Sequence, residues 1–213
     1  MSAEDKLIKE FVELEEDKTY STVKKMLDEG INPSKIISIL RKGVEIVGDK
    51  FSKKEYFLTE LVMAGEIFQQ SAEIIKPFMK GSQNDEKSKG VMVIGTVKGD
   101  VHDIGKNIFV TLAQSAGFEV FDLGVDIAPE KFVEKVKDLN ANIVAYSGLL
   151  TVALDAMKET TEALKSADLR NKVKIIIGGF PVDNLWMESA GADAFTDNAF
   201  QGVKIISEWV NEG

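Results

Sequence analysis

The second half of the sequence alternates between short apolar runs and helical segments, and this alternation constrains the fold more than any other feature. Five apolar runs fit β-strands, at residues 90–97, 118–123, 142–147, 173–178 and 193–196. A segment with helical spacing of apolar residues follows each run, at 105–116, 129–138, 152–166, 183–190 and 200–211. Five successive βα units predict an α/β domain with a five-stranded parallel sheet and helices on both faces. We expect the flavodoxin-like (Rossmann-like) strand order 2-1-3-4-5.

The first 80 residues predict a different architecture, a bundle of four helices. The four segments are a first helix that reaches Leu14, a second that is capped by Thr19 or Ser21 and ends near Gly30, a third that starts at Asn32-Pro33-Ser34, and a fourth over 57–79. Residues 81–89 are polar and contain no large apolar side chain, which is typical of a linker. We therefore expect a helical cap domain at 1–80 and an α/β domain at 90–213.

One loop of the α/β half carries the most unusual residues. Gly99-Asp100-Val101-His102-Asp103-Ile104-Gly105 lies between the first predicted strand and its helix, where α/β proteins place ligand chemistry. His102 is the only histidine, and the chain has no cysteine. If His102 binds a metal, most of the other ligands must come from a group such as a macrocycle, while Asp100 accepts a hydrogen bond from the second ring nitrogen. The alternative is a polar loop histidine without a ligand.

Two further loops are expected at the same edge of the sheet. Ser147-Gly148-Leu149-Leu150-Thr151 follows the third strand and faces the His102 loop across the point where the strand order reverses. Gly178-Gly179 follows the fourth strand. Adjacent glycines let another group approach the backbone closely, and a plain turn is the alternative.

The composition and the motifs exclude several functions. A net charge of −9 opposes a nucleic-acid surface, which needs clustered Lys and Arg. The segment 99–107 departs from a phosphate-binding P-loop in its length, and Asn107 replaces the hydroxyl residue that binds magnesium. The N-terminus lacks a signal-peptide pattern, and no apolar run reaches membrane-spanning length. We expect a soluble cytoplasmic protein with neither a nucleic-acid nor a membrane partner.

Three pieces of sequence together resemble the signature of B12-binding domains: Asp100-x-His102-x-x-Gly105, then Ser147-x-Leu149, then Gly178-Gly179. The resemblance implies cobalamin or a related corrinoid as the cofactor. It also implies that His102 is the axial ligand of cobalt in place of the cofactor's own base, the arrangement called base-off/His-on. The displaced nucleotide tail then enters a channel near the serine and the double glycine.

The same resemblance implies a set of cofactor contacts. In the α/β half they are Gly99, Asp100, Val101, His102, Asp103, Gly105, Ser147, Leu149, Thr151, Gly178, Gly179 and Ala199. The helical half is similar to the cap that precedes this domain in cobalamin-dependent methionine synthase and in small corrinoid proteins. This similarity is clearest at Val47-Gly48-Asp49-Lys50-Phe51 and Tyr56-Phe57-Leu58. It implies that Phe51 and Leu58 cover the upper face of cobalt.

The chain departs from the related methionine synthases at Ala153. Those enzymes have a serine there, whose hydroxyl is the partner of the aspartate that corresponds to Asp100. We therefore expect Asp100 to lack this partner and to orient His102 largely alone, unless water or Thr151 takes the vacant place.

The resemblance implies a carrier of methyl groups that does not complete a reaction alone. A substrate:corrinoid methyltransferase loads the methyl group, a corrinoid:acceptor methyltransferase passes it to tetrahydrofolate or a thiol, and a corrinoid reductive activase is the third partner. The donor stays open among methoxylated aromatics, methanol, methylamines and betaines. A small B12-binding subunit of a coenzyme-B12 mutase is one alternative, although the cap is unexpected there. A cobalamin-dependent regulator is another, although no DNA-binding domain is visible.

Overall fold

The computed structural model describes residues 2–79 and 88–211. The chain divides into two compact units, Met1–Lys87 and Ser88–Gly213. Residues 81–87 of the predicted linker lie outside the described residues, so the linker and the domain bounds drawn from it stay predictions. Within the described ranges, no helix is both long enough and apolar enough to cross a bilayer.

The first unit is a helical bundle. Its described helices are α1 (Ala3–Val12), α2 (Glu16–Asp28), α3 (Pro33–Ser52) and α4 (Leu58–Met79). Ser2 and Asp5 form a capping box at α1, and Asn32 caps α3 by accepting the Ser34 N–H at 2.9 Å. The helices bury one apolar face each, and the core includes Leu7, Phe11, Val23, Met26, Ile36, Leu40, Val47, Leu61, Ile67 and Ile75. The predicted four-helix bundle is confirmed.

Two details of the helical prediction are wrong. The second helix begins at Glu16 and has no side-chain cap, so Thr19 and Ser21 lie inside it rather than at its start. Glu16 and Asp17 occupy its first turn, where acidic side chains interact favourably with the helix dipole. The first helix ends at Val12, and Leu14 has a left-handed φ of 57°, which ends the helical path before that residue.

The second unit is an α/β domain with one parallel sheet. The strands are β1 (Val91–Thr96), β2 (Glu119–Asp122), β3 (Ile143–Ser147), β4 (Lys174–Gly178) and β5 (Ala194–Thr196). The helices are α5 (Ile104–Ala116), α6 (Pro129–Leu139), α7 (Ala153–Ser166), α8 (Asn184–Ala190) and α9 (Ala199–Asn211), with a short 3-10 turn at Arg170–Lys172 before β4. The strand order is β2-β1-β3-β4-β5 and all pairs are parallel, which confirms the predicted flavodoxin-like order.

The register of the sheet places four strand ends at one level. Thr96 pairs with Ser147, Ser147 pairs with Gly178, and Gly178 pairs with Thr196. The loops that follow β1, β3 and β4 therefore leave the sheet side by side, as the strand order predicted. β1 and β3 are neighbours, while their connections run to opposite sides, so this edge contains the crevice in which α/β proteins bind ligands.

Candidate corrinoid-binding site

The loop between β1 and α5 buries Asp100 and leaves His102 at the surface. Gly99 has a φ of 83°, a left-handed conformation that favours glycine, and so provides the turn after β1. Asp100 is fully buried, whereas the His102 side chain is 49% exposed. Two residues of one loop thus occupy different environments, one inside the protein and one facing the crevice.

The Asp100 carboxylate accepts four hydrogen bonds. Oδ1 accepts from the His102 backbone N–H at 3.0 Å and from His102 Nδ1 at 2.7 Å. Oδ2 accepts from the backbone N–H groups of Leu149 at 2.6 Å and Leu150 at 2.9 Å. Burial raises the pKa of Asp100, but the hydrogen bonds from His102, Leu150 and Leu149 more than offset it and hold the pKa well below its usual range. Asp100 is therefore ionised throughout the physiological range.

This carboxylate decides which nitrogen of His102 carries the proton. An ionised carboxylate only accepts, so Nδ1 must donate and Nε2 keeps its lone pair when the ring is neutral. Within the described residues Nε2 has no hydrogen-bond partner, and the His102 side chain is half-exposed. A neutral imidazole nitrogen held in this way has the arrangement that a carboxylate-supported metal ligand requires.

The expectation for the partner of Asp100 needs correction. Ala153 supplies no hydroxyl, as predicted, and its side chain is fully buried. However, the backbone N–H groups of Leu149 and Leu150 donate to Oδ2 of Asp100, and the expectation did not include these two partners. Asp100 therefore does not act alone, because the β3–α7 loop fixes its carboxylate.

The double glycine has a structural reason. Gly179 has a φ of 143°, and a β-carbon at this position would overlap the carbonyl oxygen of Gly148. A β-carbon at Gly178 would meet Thr196 O at 3.6 Å, an ordinary contact. The β3–α7 loop therefore packs closely against the backbone of the double glycine. This packing requires glycine at position 179 but not at position 178.

Open space and exposed apolar side chains surround His102. A β-carbon added at Gly105, in the first turn of α5, would meet no heavy atom within 4 Å, so packing inside the chain does not require glycine there. The three loops also expose large apolar side chains, among them Ile104 at 75% and, on the same edge, Val101, Leu149, Leu150, Val152 and Phe180. Exposed apolar surface concentrated around one polar ligand marks a binding site for a large apolar group.

The remaining predicted contact residues of the α/β unit lie at or near this edge. Ser147 ends β3 between Thr96 and Gly178, and Thr151 is exposed in the following loop. Asp103 precedes α5 as its N-cap residue without a side-chain cap bond. Ala199 begins α9, directly after Asn198, whose side-chain oxygen accepts from Phe200 N at 3.0 Å.

Phe51 and Leu58 belong to the helical unit. Phe51 lies in the last turn of α3 and is partly buried, and Leu58 begins α4 and is 49% exposed beside the exposed Phe57. Two apolar residues in succession at the start of α4 thus lack full cover within their own unit.

Three residues that support the His102 loop were missed by the sequence analysis. Lys106 is buried in the first turn of α5 and bonds to Asp122 at the end of β2 and to Asn107 Oδ1 at 2.7 Å. Asp126, after β2, accepts the Gly99 N–H at 2.7 Å. The position of Lys106 on the inward side of the helix could have predicted that it pairs with an acidic residue such as Asp122. Asp126 is 27 residues from Gly99, and nothing in the local sequence connects them.

A metal at this site must bring ligands of its own. In the part of the chain that the structure describes, no three His, Cys, Asp or Glu side chains lie close enough together to hold an ion. His102 can therefore supply one nitrogen to a metal whose remaining ligands belong to a cofactor.

Comparison with known proteins identifies the family. A profile of the B12 binding domain matches residues 90–203, which is more than half of the chain, and a second B12 binding domain profile matches residues 3–76. The chain belongs to the family of B12-binding corrinoid proteins. Cobalamin or a related corrinoid is therefore its cofactor, and the free Nε2 of His102, the open space at Gly105 and the exposed apolar rim fit such a group.

Relatives of this corrinoid protein cover nearly its whole length. Dimethylamine corrinoid protein 1 of Methanosarcina mazei is 37% identical over 213 residues, with 98% of both chains covered. A corrinoid protein of Desulfitobacterium hafniense is 36% identical over 210 residues, with 98% of this chain and 97% of the relative covered. The crystal structure of a cobalamin-binding protein from Desulfitobacterium hafniense is similar with a TM-score of 0.81 at 41% identity, and 98% of each chain is covered.

Proposed function

We propose that this corrinoid protein is a methyl carrier that binds its cofactor base-off, with His102 Nε2 as the axial ligand of cobalt. When bound, the cobalt of the corrinoid accepts a methyl group from one enzyme and gives it up to another. The observation that supports this proposal most directly is the four-bonded Asp100 carboxylate, because it leaves Nε2 as the unprotonated nitrogen.

The other contact residues have distinct roles in the proposal. Gly105 leaves room for the cofactor beside the His102 loop, and Val101 and Leu149 cover its apolar surface. Ser147 and the Gly178-Gly179 turn border the channel for the nucleotide tail, and Thr151 and Ala199 contact the corrin ring. These roles come from the family resemblance and from the position of the residues at one sheet edge.

We also propose that Phe51 and Leu58 cover the upper face of cobalt. The support is the family resemblance together with the exposure of Leu58 at the start of α4, where apolar surface lacks cover within the helical unit. An apolar cover shields a reactive alkyl group from water and must move aside when another enzyme takes the group.

The proposed partners are a substrate:corrinoid methyltransferase, a corrinoid:acceptor methyltransferase that uses tetrahydrofolate or a thiol, and a reductive activase. The relatives named for dimethylamine make methylated amines the first donors to test. In that test, the cobalamin-loaded protein is first brought to cobalt(I) with a low-potential chemical reductant and is then incubated with carbon-13 labelled dimethylamine and a methyltransferase that serves a dimethylamine corrinoid protein, so that the methyl group passes to cobalt and methylamine leaves. A labelled methyl resonance on the protein-bound corrinoid supports methyl carriage. The same test is repeated with other methylamines, methanol, betaines and methoxylated aromatics, each with a methyltransferase for that donor. If no donor gives the resonance, methyl carriage is overturned.

The ligand assignment is tested separately with His102→Ala. In protein whose single histidine is labelled with nitrogen-15, the cobalamin-loaded parent, reduced to cobalt(II), should show each EPR line split into a doublet by the labelled nitrogen, and His102→Ala should lose this doublet. Lys98→Ala, an exposed change in the same loop, is the control and should keep it. An unchanged spectrum in His102→Ala would show that another group occupies the axial position.

A further inference from the structure

The segment between β2 and α6 runs alongside the start of the His102 loop. Thr96 N–H donates to the Gly124 carbonyl at 2.9 Å, and Ile127 N–H donates to the Thr96 carbonyl at 3.0 Å. Val97 and Ile127 form an isolated parallel bridge. Residues 124–127 thus extend the pairing of β1 and β2 beyond the sheet, up to the point where the loop with Asp100 begins.

Asp126 holds the main chain around Asp100 by two reciprocal hydrogen bonds. Its carboxylate accepts the Gly99 N–H at 2.7 Å, and its own N–H donates to the Asp100 carbonyl at 2.9 Å. Asp100 is therefore fixed at both ends, because its side chain bonds to Leu149 and Leu150 while its main chain bonds to Asp126. A shift of the main chain on the Asp126 side moves the carboxylate away from His102 Nδ1 or from the two leucine amides.

The backbone of Asp126 has an unfavourable conformation. Its φ is 55°, in the left-handed region that side chains other than those of Asn and Asp rarely occupy. Such a conformation persists only where surrounding interactions hold it, and it occurs often at functional sites. Here the surrounding interactions are the two bonds to Gly99 and Asp100, and Gly99 itself has a left-handed φ of 83°.

We propose that Asp126 is a positioning residue for the axial histidine. It sets the main-chain position of Asp100, and through Asp100 it keeps the proton of His102 on Nδ1 and Nε2 free. The importance of a free Nε2 depends on the proposed function, but the effect of Asp126 on the tautomer does not, so the two can be tested apart.

Three substitutions separate the two contributions of Asp126. Asp126→Asn keeps both an oxygen that accepts the Gly99 N–H and a side chain that tolerates the left-handed backbone. Asp126→Gly relieves the backbone but removes the acceptor, and Asp126→Ala removes the acceptor and keeps the strain. Val125→Ala changes the preceding exposed side chain and is the matched control.

The readout is the tautomer of His102 in the apoprotein, measured by nitrogen-15 NMR at pH 8.5 with labelled histidine. The chain has one histidine, so each spectrum contains the ring signals of His102 alone. The parent, Asp126→Asn and Val125→Ala should show the proton on Nδ1. In Asp126→Gly and Asp126→Ala the ratio of the Nδ1–H to the Nε2–H form should fall by about fivefold, the effect of losing one hydrogen bond of ordinary strength.

Each outcome decides between positioning and a passive role. An unchanged tautomer ratio in both Asp126→Gly and Asp126→Ala overturns the proposal. A parent-like ratio in Asp126→Gly alone shows that only the backbone conformation matters, and this also overturns the role of the carboxylate. If Asp126→Ala fails to fold, the Asn and Gly variants still give the comparison. A changed tautomer in Asp126→Gly, combined with no axial nitrogen in the loaded parent, supports positioning while overturning the proposed function.

Discussion

Asp100→Asn is the substitution that tests the site most directly, because it replaces an oxygen that accepts two hydrogen bonds with a donor. If the amide oxygen faces Leu149 and Leu150, the NH₂ group faces the His102 backbone N–H and the ring. If the amide turns around, the two leucine N–H groups lose their acceptor instead. The first orientation leaves fewer donors unpaired, and in it the amide donates to Nδ1, so the ring proton must move to Nε2.

The size of the effect follows from the bonds that are lost. A hydrogen bond to a charged group is worth roughly 1.5–3 kcal/mol, and a buried donor without a partner costs roughly 1–3 kcal/mol. Asp100→Asn leaves the partly buried His102 N–H unpaired and weakens the remaining bonds, because a neutral amide is a poorer acceptor than a carboxylate. The α/β unit should therefore lose about 3 kcal/mol of unfolding free energy at pH 7.

The assay is urea unfolding of the apoprotein, followed by tryptophan fluorescence. Both tryptophans, Trp186 and Trp209, belong to the α/β unit, so the signal reports on that unit. Asp103→Asn is the control, since it makes the same chemical change at an exposed position of the same loop, and it should stay within about 0.5 kcal/mol of the parent.

The pH dependence gives a second test. The folded pKa of Asp100 lies below the unfolded value near 3.9, so its stabilisation is present above that value and is lost as the pH falls through the folded pKa. The difference between parent and Asp100→Asn should hence shrink as the pH falls below about 4. The nitrogen-15 spectrum of His102 should meanwhile change to the Nε2–H form. Parent-like stability together with a retained Nδ1–H would refute the reasoning.

Three further predictions concern packing, ionisation and the cap. Gly179→Ala should destabilise the α/β unit by several kcal/mol in urea unfolding, because the added β-carbon would overlap the carbonyl oxygen of Gly148. Gly178→Ala is the control and should be tolerated, so equal effects of the two substitutions would contradict the packing argument. Burial raises the pKa of Tyr146, so the stability that it contributes is complete below pH 10 and falls as the pH rises toward the folded pKa. In the parent, this titration should lower the unfolding free energy by about 1.4 kcal/mol per pH unit above pH 10. Tyr146→Phe lacks the titrating group, so its unfolding free energy should fall less between pH 10 and 11.5. Phe51→Ala combined with Leu58→Ala should speed photolysis of bound methylcobalamin without unfolding either unit, and an unchanged rate would remove both residues from the proposed cover.

Periodicity predicted the fold well because it records which faces are buried. The strands fall within the predicted runs, since β1, β3 and β4 are apolar along most of their length and have a polar residue at one end. The start of α2 was wrong because Thr19 and Ser21 are good capping residues by type, yet the chain is already helical at Glu16. Capping preference is a weaker signal than the tertiary packing that extends the helix.

The site was predicted where a side chain carries the chemistry and missed where the backbone does. His102 and Asp100 stand out by residue type and spacing, and the structure brings them to a 2.7 Å contact. The amides of Leu149 and Leu150 have no sequence signature, because every residue except proline has an N–H group. Asp126 was missed for a similar reason, since its importance lies in a main-chain conformation and in a partner far along the chain.

The three loops at the carboxyl edge are joined to one another by bonds within the chain. Asp100 joins the first loop to the second, and the Gly148 N–H, which donates to the Gly178 carbonyl at 3.0 Å, joins the second to the third. The conformational entropy of these loops is consequently lost during folding, before any cofactor arrives. Calorimetry of corrinoid binding should then give a heat-capacity change that matches the apolar surface covered by the ligand, without the larger change that accompanies coupled folding. If the cofactor binds base-off as proposed, association should likewise be limited by displacement of its own base rather than by ordering of the protein.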